Sequence, residues 1–464
     1  MIITDDSKKA IRERTQEIHC HEITIEQRKK ENNIRLNGYG TIKSQENGSM
    51  YVEFICLKSN IFLDPFATIP EDQTNPNEKL YLEALSIEGN TFKSSGFALN
   101  SPSGNIFGNG PKRHVFKIIH ISTSSKSITT PAESKSILIE VFGNYDIPKN
   151  ISNKTESTLG TVSHSRNQTK LKSQDIEFSI VQYKTYATIS IHSNAGISWE
   201  RMKDAKDALI FYIEFSTGLL ALPYLEIVTD SSNQEFNIFS FDLSLAGIRI
   251  PQPISSAVSD GKSTLDDHHF RLLFCLHRLI TNNKTWFMSI QAQWRRIWHS
   301  FLSKEFRVPM LTLSVGVEGI INDIFTPALS EEMTDSDFEE KKSQIIERIS
   351  RISDIDDEHK KTISRHVGNW GNPTPKKILD HLVKNDVINS KHLKNWERVR
   401  HSSAHPRSSG ASDITRPKDI HRTIFCLRLF YILVMNVVEY SGHQVIYLDD
   451  GSKINTIVEH KKII

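Results

Sequence analysis

The dominant hydrophobic periodicity changes from strand-like to helix-like within this chain, and that change constrains the fold more than any other feature. From about residue 33 to 250, apolar stretches are short and β-branched, as in Met50–Leu57, Ser136–Phe142 and Ile176–Ile180. Such stretches, bounded by turn residues, are typical of strands. From Leu265 onward, apolar residues recur every three or four positions, which is typical of helices with one buried face. The order of the two patterns predicts an α+β fold, with a β-rich N-terminal domain before a helical bundle.

Local signals predict several further elements. Val115–Ile121 is predicted as one strand and Ser198–Leu220 as one helix, and the segments 121–135 and 149–174, rich in Ser, Thr, Lys and Asn, are predicted as loops or flexible hairpin tips. A last helix is expected from Pro417 to Tyr440, followed by a short C-terminal hairpin of His443–Leu448 and Ile454–Val458. We therefore expect three regions: a β-rich domain at 1–260, connecting helices at 261–304, and a helical domain at 305–464. Because the first region offers polar segments for recognition and no convergent set of catalytic residues, we expect it to have a sensing or regulatory role.

Composition excludes several classes of protein. The formal net charge is only +2 over 464 residues, so any nucleic-acid contact must come from a local basic patch. The four cysteines are scattered without a CxxC pair, which argues against a structural zinc site and a disulfide framework. The N-terminus lacks the order of a signal peptide, and the apolar run from Ile424 to Val438 is interrupted by Arg428 and Asn436. We expect a cytoplasmic protein without a membrane span, a metal or a cofactor.

The local basic patch lies at residues 391–407. Its cations are set against the single acid Glu397, and they are Lys391, Lys394, Arg398, Arg400 and Arg407. Ser390 can cap a helix through this patch, and Pro406 disfavours helical geometry at His405, so the helix should end beside that histidine. The patch thus places an arginine and a histidine near one helix end.

This pair has the minimum equipment for cutting RNA without a metal. Transphosphorylation needs a base for the 2′-OH, an acid for the leaving 5′-oxygen and a cation for the developing charge. We predict that Arg400 supplies the charge and His405 the proton transfers. His401, Ser402, Arg398, Lys394 and Arg407 are predicted to hold the RNA phosphates.

The spacing of Arg400 and His405 is weak evidence by itself. Arg14 with His19 and Arg416 with His421 show the same spacing. The alternative interpretation is a solvated basic helix end, because the helix dipole favours cations at a C-terminus.

Arg400-His-Ser-Ser-Ala-His405 resembles the Arg-x4–6-His motif of the HEPN superfamily, in which a polar residue follows the Arg and an Ala often precedes the His. Leu311–Phe325, with Glu318 among aliphatic residues, looks like the first HEPN helix. The upstream half is similar to ApeA-like anti-phage proteins through Leu36–Ile42 and Phe215-Ser-Thr-Gly218.

The resemblance implies a metal-independent endoribonuclease of the abortive-infection type, a toxin that cuts cellular RNA, with tRNA among the candidates. It implies a homodimer in which two motifs face each other, and a phage-derived trigger. The rival hypothesis is a non-catalytic HEPN-type module that binds a nucleotide, RNA or a partner protein, in which the basic patch recognises phosphate without cutting.

Overall fold

The computed structural model describes most of the chain. The described residues are 4–29, 31–60, 68–70, 74–100, 112–126, 135–156, 162–173, 175–193, 197–230, 233–254, 263–305, 307–333, 336–368, 373–404, 415–448 and 453–461. The chain divides into two compact units, of which the first is Met1–Glu214 with Leu219–Arg249 and the second is Phe215–Gly218 with Ile250–Ile464. The first unit is mainly an antiparallel sheet and the second is mainly helical, so the α+β class is confirmed.

The first unit is built on one sheet of 14 strands. Its elements are α1 Asp5–Glu13, β1 Glu17–Gln27, β2 Arg35–Ser44, β3 Met50–Ser59, β4 Thr68–Ile69, β5 Leu80–Ser86, β6 Thr91–Ser94, β7 Leu99–Asn100, β8 Lys112–Ile118, β9 His120–Lys126, β10 Lys135–Phe142, β11 Ile151–Glu156, β12 Val162–Ser173, β13 Ile176–Gln182, β14 Tyr186–Ser193, α2 Trp199–Thr217, β15 Leu222–Thr229 and β16 Asn233–Phe239. The large sheet has the order β11-β12-β13-β14-β10-β15-β16-β9-β6-β5-β1-β2-β3-β8, and β4 pairs with β7 separately.

Alternation along the strands places the core of this unit. In β3, Met50, Val52, Phe54 and Cys56 are buried, while the residues between them are partly exposed. This period of two is what a sheet with one covered face requires. The predicted strands at 50–57, 136–142 and 176–180 and the predicted helix at 198–220 are confirmed as β3, β10, β13 and α2.

A buried ion pair fixes α1 onto the sheet. The Arg12 guanidinium donates to both carboxylate oxygens of Glu140, at 3.0 and 2.9 Å, and lies 4.0 Å from the centre of the Tyr186 ring. The Tyr224 hydroxyl donates to Glu140 at 2.6 Å. Burial and the neighbouring Glu140 carboxylate raise the pKa of Tyr224. Every charged group in this network has a partner, which suits a structural role.

Two sequence-based predictions in this unit are wrong. The predicted strand Val115–Ile121 is two strands, because the strand is interrupted at Ile119. Before this residue β8 pairs with β3, and after it β9 pairs with β16. The segments predicted as loops are largely strands: β9 covers 120–126, and β11 pairs with β12 as a hairpin. Polar side chains are tolerated there because the backbone hydrogen bonds to the neighbouring strands supply the pairing. Residues 127–134, 157–161 and 174 lie outside the described part of the chain.

The second unit carries nine helices of its own in its described residues. Its elements are α3 Ser263–Asn282, α4 Lys284–Ser300, α5 Arg307–Ile320, a π-helical turn at Ile321–Phe325, α6 Thr326–Met333, α7 Ser336–Ser350, α8 Asp357–Gly368, α9 Pro375–Lys384, α10 Ser390–Ala404, α11 Thr415–Val437, β17 Gly442–Tyr447 and β18 Lys453–Val458. β17 and β18 are antiparallel partners, so the predicted C-terminal hairpin is confirmed, although its turn at 449–452 lies outside the described residues.

The core of the second unit lies among α4, α5, α10 and α11, which pack on one another. Trp294, Trp298 and Trp396 are fully buried there. The Trp298 indole N–H donates to the Gly218 carbonyl at 3.1 Å, so the short segment Phe215–Gly218 is part of this core. A Cβ added at Gly316 in α5 would lie 2.9 Å from Cδ1 of Ile297, which shows how closely α4 and α5 approach.

Two stretches of the second unit have the length and composition of membrane-spanning helices. They are Arg307–Leu329 and Lys418–Val437, and 56% and 67% of their most apolar windows are buried inside the structure. The core helices of soluble domains have the same length, composition and burial, so these two stretches carry no membrane assignment.

Candidate functional site

The candidate site is built on α10, which two contacts fix against α5. The Trp396 indole N–H donates to the Ser314 carbonyl at 3.2 Å. One turn further along both helices, Nη2 of Arg400 lies 2.9 Å from Oε1 of Glu318. Because residues four apart share a helix face, Trp396 and Arg400 both lie on the side of α10 that meets α5. The guanidinium carbon of Arg400 also lies 5.4 Å from the centre of the Trp396 ring.

The Arg400 side chain is oriented by its contacts but remains accessible to solvent. Its side chain is 49% exposed, whereas that of Glu318 is 26% exposed. A guanidinium has five N–H donors, and Glu318 takes one of them at hydrogen-bond distance. The remaining donors of Arg400 face a partly open surface, where an anion can reach them.

The structure places three of the other predicted RNA-binding residues on a different face of α10. Lys394, Arg398 and His401 are exposed and follow one another at helical spacing, so they form a single basic row. Arg400 lies two positions after Arg398, which turns it about 200° around the helix axis from that row. A phosphate bound by Arg400 therefore does not also contact Arg398, and the row would hold a more distant part of a nucleic-acid chain.

Three of the predicted site residues cannot be placed. The side chain of Ser402 lies outside what the structure describes, although its backbone belongs to α10. His405 and Arg407 fall within 405–414, which is also outside the described residues. The convergence of Arg400 and His405 on one phosphate therefore stays a prediction.

The start of α10 differs from its sequence-based description. Ser390 is the first helical residue, and the side-chain oxygen of Asn389 caps the helix by accepting the Lys391 N–H at 2.8 Å. Ser and Asn are both good N-cap residues, and here Asn389, one position before Ser390, is the N-cap.

Metal ligands do not gather in the described residues. No group of three or more His, Cys, Asp or Glu side chains could hold a metal ion there. Of the sequence Asp266-Asp267-His268-His269, His268 contacts the His443 ring at 4.4 Å between centroids, and His269 is buried. Burial, and then the nearby His443, lowers the pKa of His268, which favours its neutral form.

No protein-family model, curated protein or solved structure matches this chain. The site must therefore be interpreted from its own residues. Sequence reasoning placed Arg400 on a helix but missed that Glu318 is its partner, although an acid among the aliphatic residues of α5 was a signal for it.

Proposed function

We propose that the second unit is a metal-independent endoribonuclease of the HEPN type, which cuts cellular RNA as an anti-phage, abortive-infection enzyme. One observation carries the proposal. Arg400 is oriented by Glu318 and Trp396, stays half-exposed, and precedes His405 by five positions in the sequence. An arginine kept in this way can bind an RNA phosphate without first paying the full entropy of ordering its side chain.

The reaction assigned to this pair is transphosphorylation. His405 accepts the proton of the RNA 2′-OH, and the 2′-oxygen attacks the adjacent phosphorus while the bond to the 5′-oxygen breaks. The 5′-oxygen takes up a proton as it leaves, and the product ends in a 2′,3′-cyclic phosphate. Arg400 stabilises the extra negative charge on the non-bridging oxygens. The basic row of Lys394, Arg398 and His401 binds phosphates in a more distant part of the RNA.

A homodimer would complete this site. One histidine serves poorly as both base and acid on opposite sides of an in-line displacement, and a second copy of the motif resolves the difficulty. The exposed side of α5 carries Val308, Leu311 and Val315, which are 38%, 47% and 50% exposed and lie at helical spacing. Because Glu318 follows in the same row, an interface on this side would bring two Arg400 residues close together.

We assign the first unit to sensing a phage-derived trigger. Its charged network of Arg12, Glu140 and Tyr224 is internally satisfied, so we assign that network a structural and not a catalytic role. A nuclease that attacks the RNA of its own cell must be restrained until infection, and we expect this unit to provide the restraint. The cytoplasmic location expected from the sequence belongs to the same proposal.

The test is an RNA cleavage assay with purified full-length protein, total tRNA and EDTA. We expect wild-type protein to cut and to leave 2′,3′-cyclic phosphate ends, and we expect His405→Ala and Arg400→Ala to lower the rate by about a hundredfold or more. His19→Ala is the matched control, because Arg14 and His19 repeat the spacing at an exposed position of β1. Unchanged cleavage by His405→Ala, or a strict need for Mg²⁺, would rule out the proposed mechanism.

The second candidate is a non-catalytic module that binds RNA or a nucleotide. The ion pair between Arg400 and Glu318 favours it, because a carboxylate already neutralises part of the guanidinium charge. In that case the wild-type protein would bind tRNA without cutting it, and Arg400→Ala would weaken binding while His405→Ala would not.

A further inference from the structure

A cavity of about 530 Å³ lies at the other end of α10 from Arg400. It is formed where the start of α10 meets the middle of α11 and the end of β17, and its lining includes Asn389, Lys391, His392, Phe425, Arg428 and Tyr447. Among the residues that the structure describes, none that lines the cavity carries a carboxylate.

Arg428 lies in this cavity and has no counterion among the described residues. It interrupts the apolar sequence of α11, is more than half buried, and makes no ion pair or hydrogen bond within the described part of the chain. A second cavity shares Arg428 and contains Asp386 and Glu459, yet neither acid pairs with the guanidinium. A buried charge without a partner is costly, so the folded chain retains it at the expense of stability.

His392 offers a second unused donor in the same place. Its ring is 3% exposed, and Nδ1 accepts the Asn389 N–H at 3.2 Å. Since Nδ1 is the acceptor, the hydrogen of the neutral ring is on Nε2. That Nε2 is buried and has no partner among the described residues.

The remaining walls indicate the kind of anion. Lys391 is exposed and adds a third cationic or donor group, and the positive end of the α10 dipole points the same way. Phe425 and Tyr447 supply two aromatic surfaces. The volume falls within the range of small-molecule sites and is much larger than a phosphate ion needs.

We propose that this cavity binds a small phosphorylated molecule, with its phosphate group between Arg428, His392 and Lys391 and its organic part against Phe425 and Tyr447. The site is separate from the candidate RNA site at Arg400, since it lies at the opposite end of the same helix. The proposal does not rest on nuclease activity.

The test measures binding of inorganic phosphate and of phenyl phosphate by calorimetry, in chloride buffer. We expect phenyl phosphate to bind more tightly, because its ring reaches the aromatic walls. Arg428→Met should weaken both by about tenfold or more, since a charge-assisted hydrogen bond is lost. Without phosphate, the same variant should melt at an unchanged or higher temperature, because it no longer buries an unpaired charge.

Arg422→Met is the matched control, because Arg422 lies on the same helix but is paired with Asp419 at 3.0 Å, and it should bind phosphate like wild type. Lys391→Gln changes an exposed residue and should weaken binding severalfold; it decides the test if Arg428→Met fails to fold. Arg400→Ala and His405→Ala should leave phosphate binding unchanged, which separates this site from the nuclease proposal. Absence of phosphate binding by wild type, equal binding by Arg428→Met, or an Arg428-dependent affinity for RNA alone would overturn the inference.

Discussion

Arg400 and Arg428 show how two arginines of one helical unit acquire different properties. Arg400 has a carboxylate partner on α5 and remains half-exposed, whereas Arg428 is more than half buried and has no described partner. Arg400 is therefore an ordered cation at the surface, whereas Arg428 is a cation without a described counterion inside a cavity. In the sequence, Arg428 is recognisable only as an interruption of an apolar run. Whether it has an ion-pair partner depends on the fold and could not be predicted.

His392 should make the protein sensitive to mild acid. Burial, and then the nearby Arg428, lowers the pKa of His392 from 6.5 to about 4. Because the folded-state pKa is the lower one, the unfolded chain binds this proton first, and stability is lost as the pH falls from 6.5 towards 4. His392 faces Lys391 and Tyr447 in this cavity, and Asp386 and Glu459 in the second cavity. Neither acid is among the influences on the pKa of His392, which are burial, Arg428 and the Asn389 backbone.

We therefore expect the free energy of unfolding to fall by roughly 2 kcal/mol more between pH 7 and pH 5 in wild type than in His392→Gln. Urea unfolding at the two pH values measures this, in buffer without phosphate. His366→Gln, at an exposed position of α8, should behave like wild type. An identical pH dependence in wild type and His392→Gln would mean that the ring is not buried in its neutral form.

At the scale of elements, helices and apolar strands could be predicted because their side chains carry the signal. The stripe in α11 is an example, with Leu427, Tyr431 and Val434 buried. β11 and β12 were missed because what stabilises them is backbone pairing to neighbouring strands, which polar composition does not reveal. The neighbours of β10, which are β14 and β15, also could not be predicted, since strand order depends on contacts distant in sequence.

The same distinction applies to the candidate site. The helix that carries Arg400 follows from local sequence, but its contact with Glu318 joins residues 82 positions apart. That Arg400 lies on a different face of α10 from Lys394, Arg398 and His401 could have been predicted from helical spacing alone, because a helix through residue 401 fixes these positions.

The exposed row on α5 should be the dimer interface. Val315→Asp places a charge in the exposed apolar row of Val308, Leu311 and Val315, and we expect it to give a monomer with a normal circular dichroism spectrum and little RNA cleavage. Light scattering at micromolar concentration measures the mass. Ile352→Asp changes an apolar residue after α7 that is 40% exposed, and should stay dimeric. A wild-type monomer with full activity would contradict the prediction.

At the scale of the whole molecule, the second unit cannot be reduced to its last helices. A fragment from residue 300 to 464 lacks nearly all of α4, which packs against α5 and carries five fully buried hydrophobic side chains. Those side chains are Phe287, Ile290, Trp294, Ile297 and Trp298. Losing their burial removes roughly 10 kcal/mol, which is comparable to the whole stability of an ordinary domain.

We expect the fragment 300–464 to unfold without a cooperative transition and to bind a hydrophobic dye, whereas the full chain unfolds cooperatively. Thermal denaturation followed by circular dichroism measures this. If the fragment melts in one sharp transition, α4 is dispensable. If the fragment is unfolded, its toxicity in cells cannot show whether the first unit restrains the nuclease. The sensing proposal must then be tested in the full chain.

The segment Phe215–Gly218 also sets an order of events during synthesis. It leaves the ribosome inside the stretch that builds the first unit, yet its partners come later, with the Gly218 carbonyl accepting from Trp298 and the Phe215 ring packing edge-on against Tyr431. The last turn of α2 must therefore wait, incompletely packed, while more than two hundred further residues are translated. A nascent chain that stops before α11 cannot finish that packing, so the helical core that supports Arg400 is completed only when translation is nearly over.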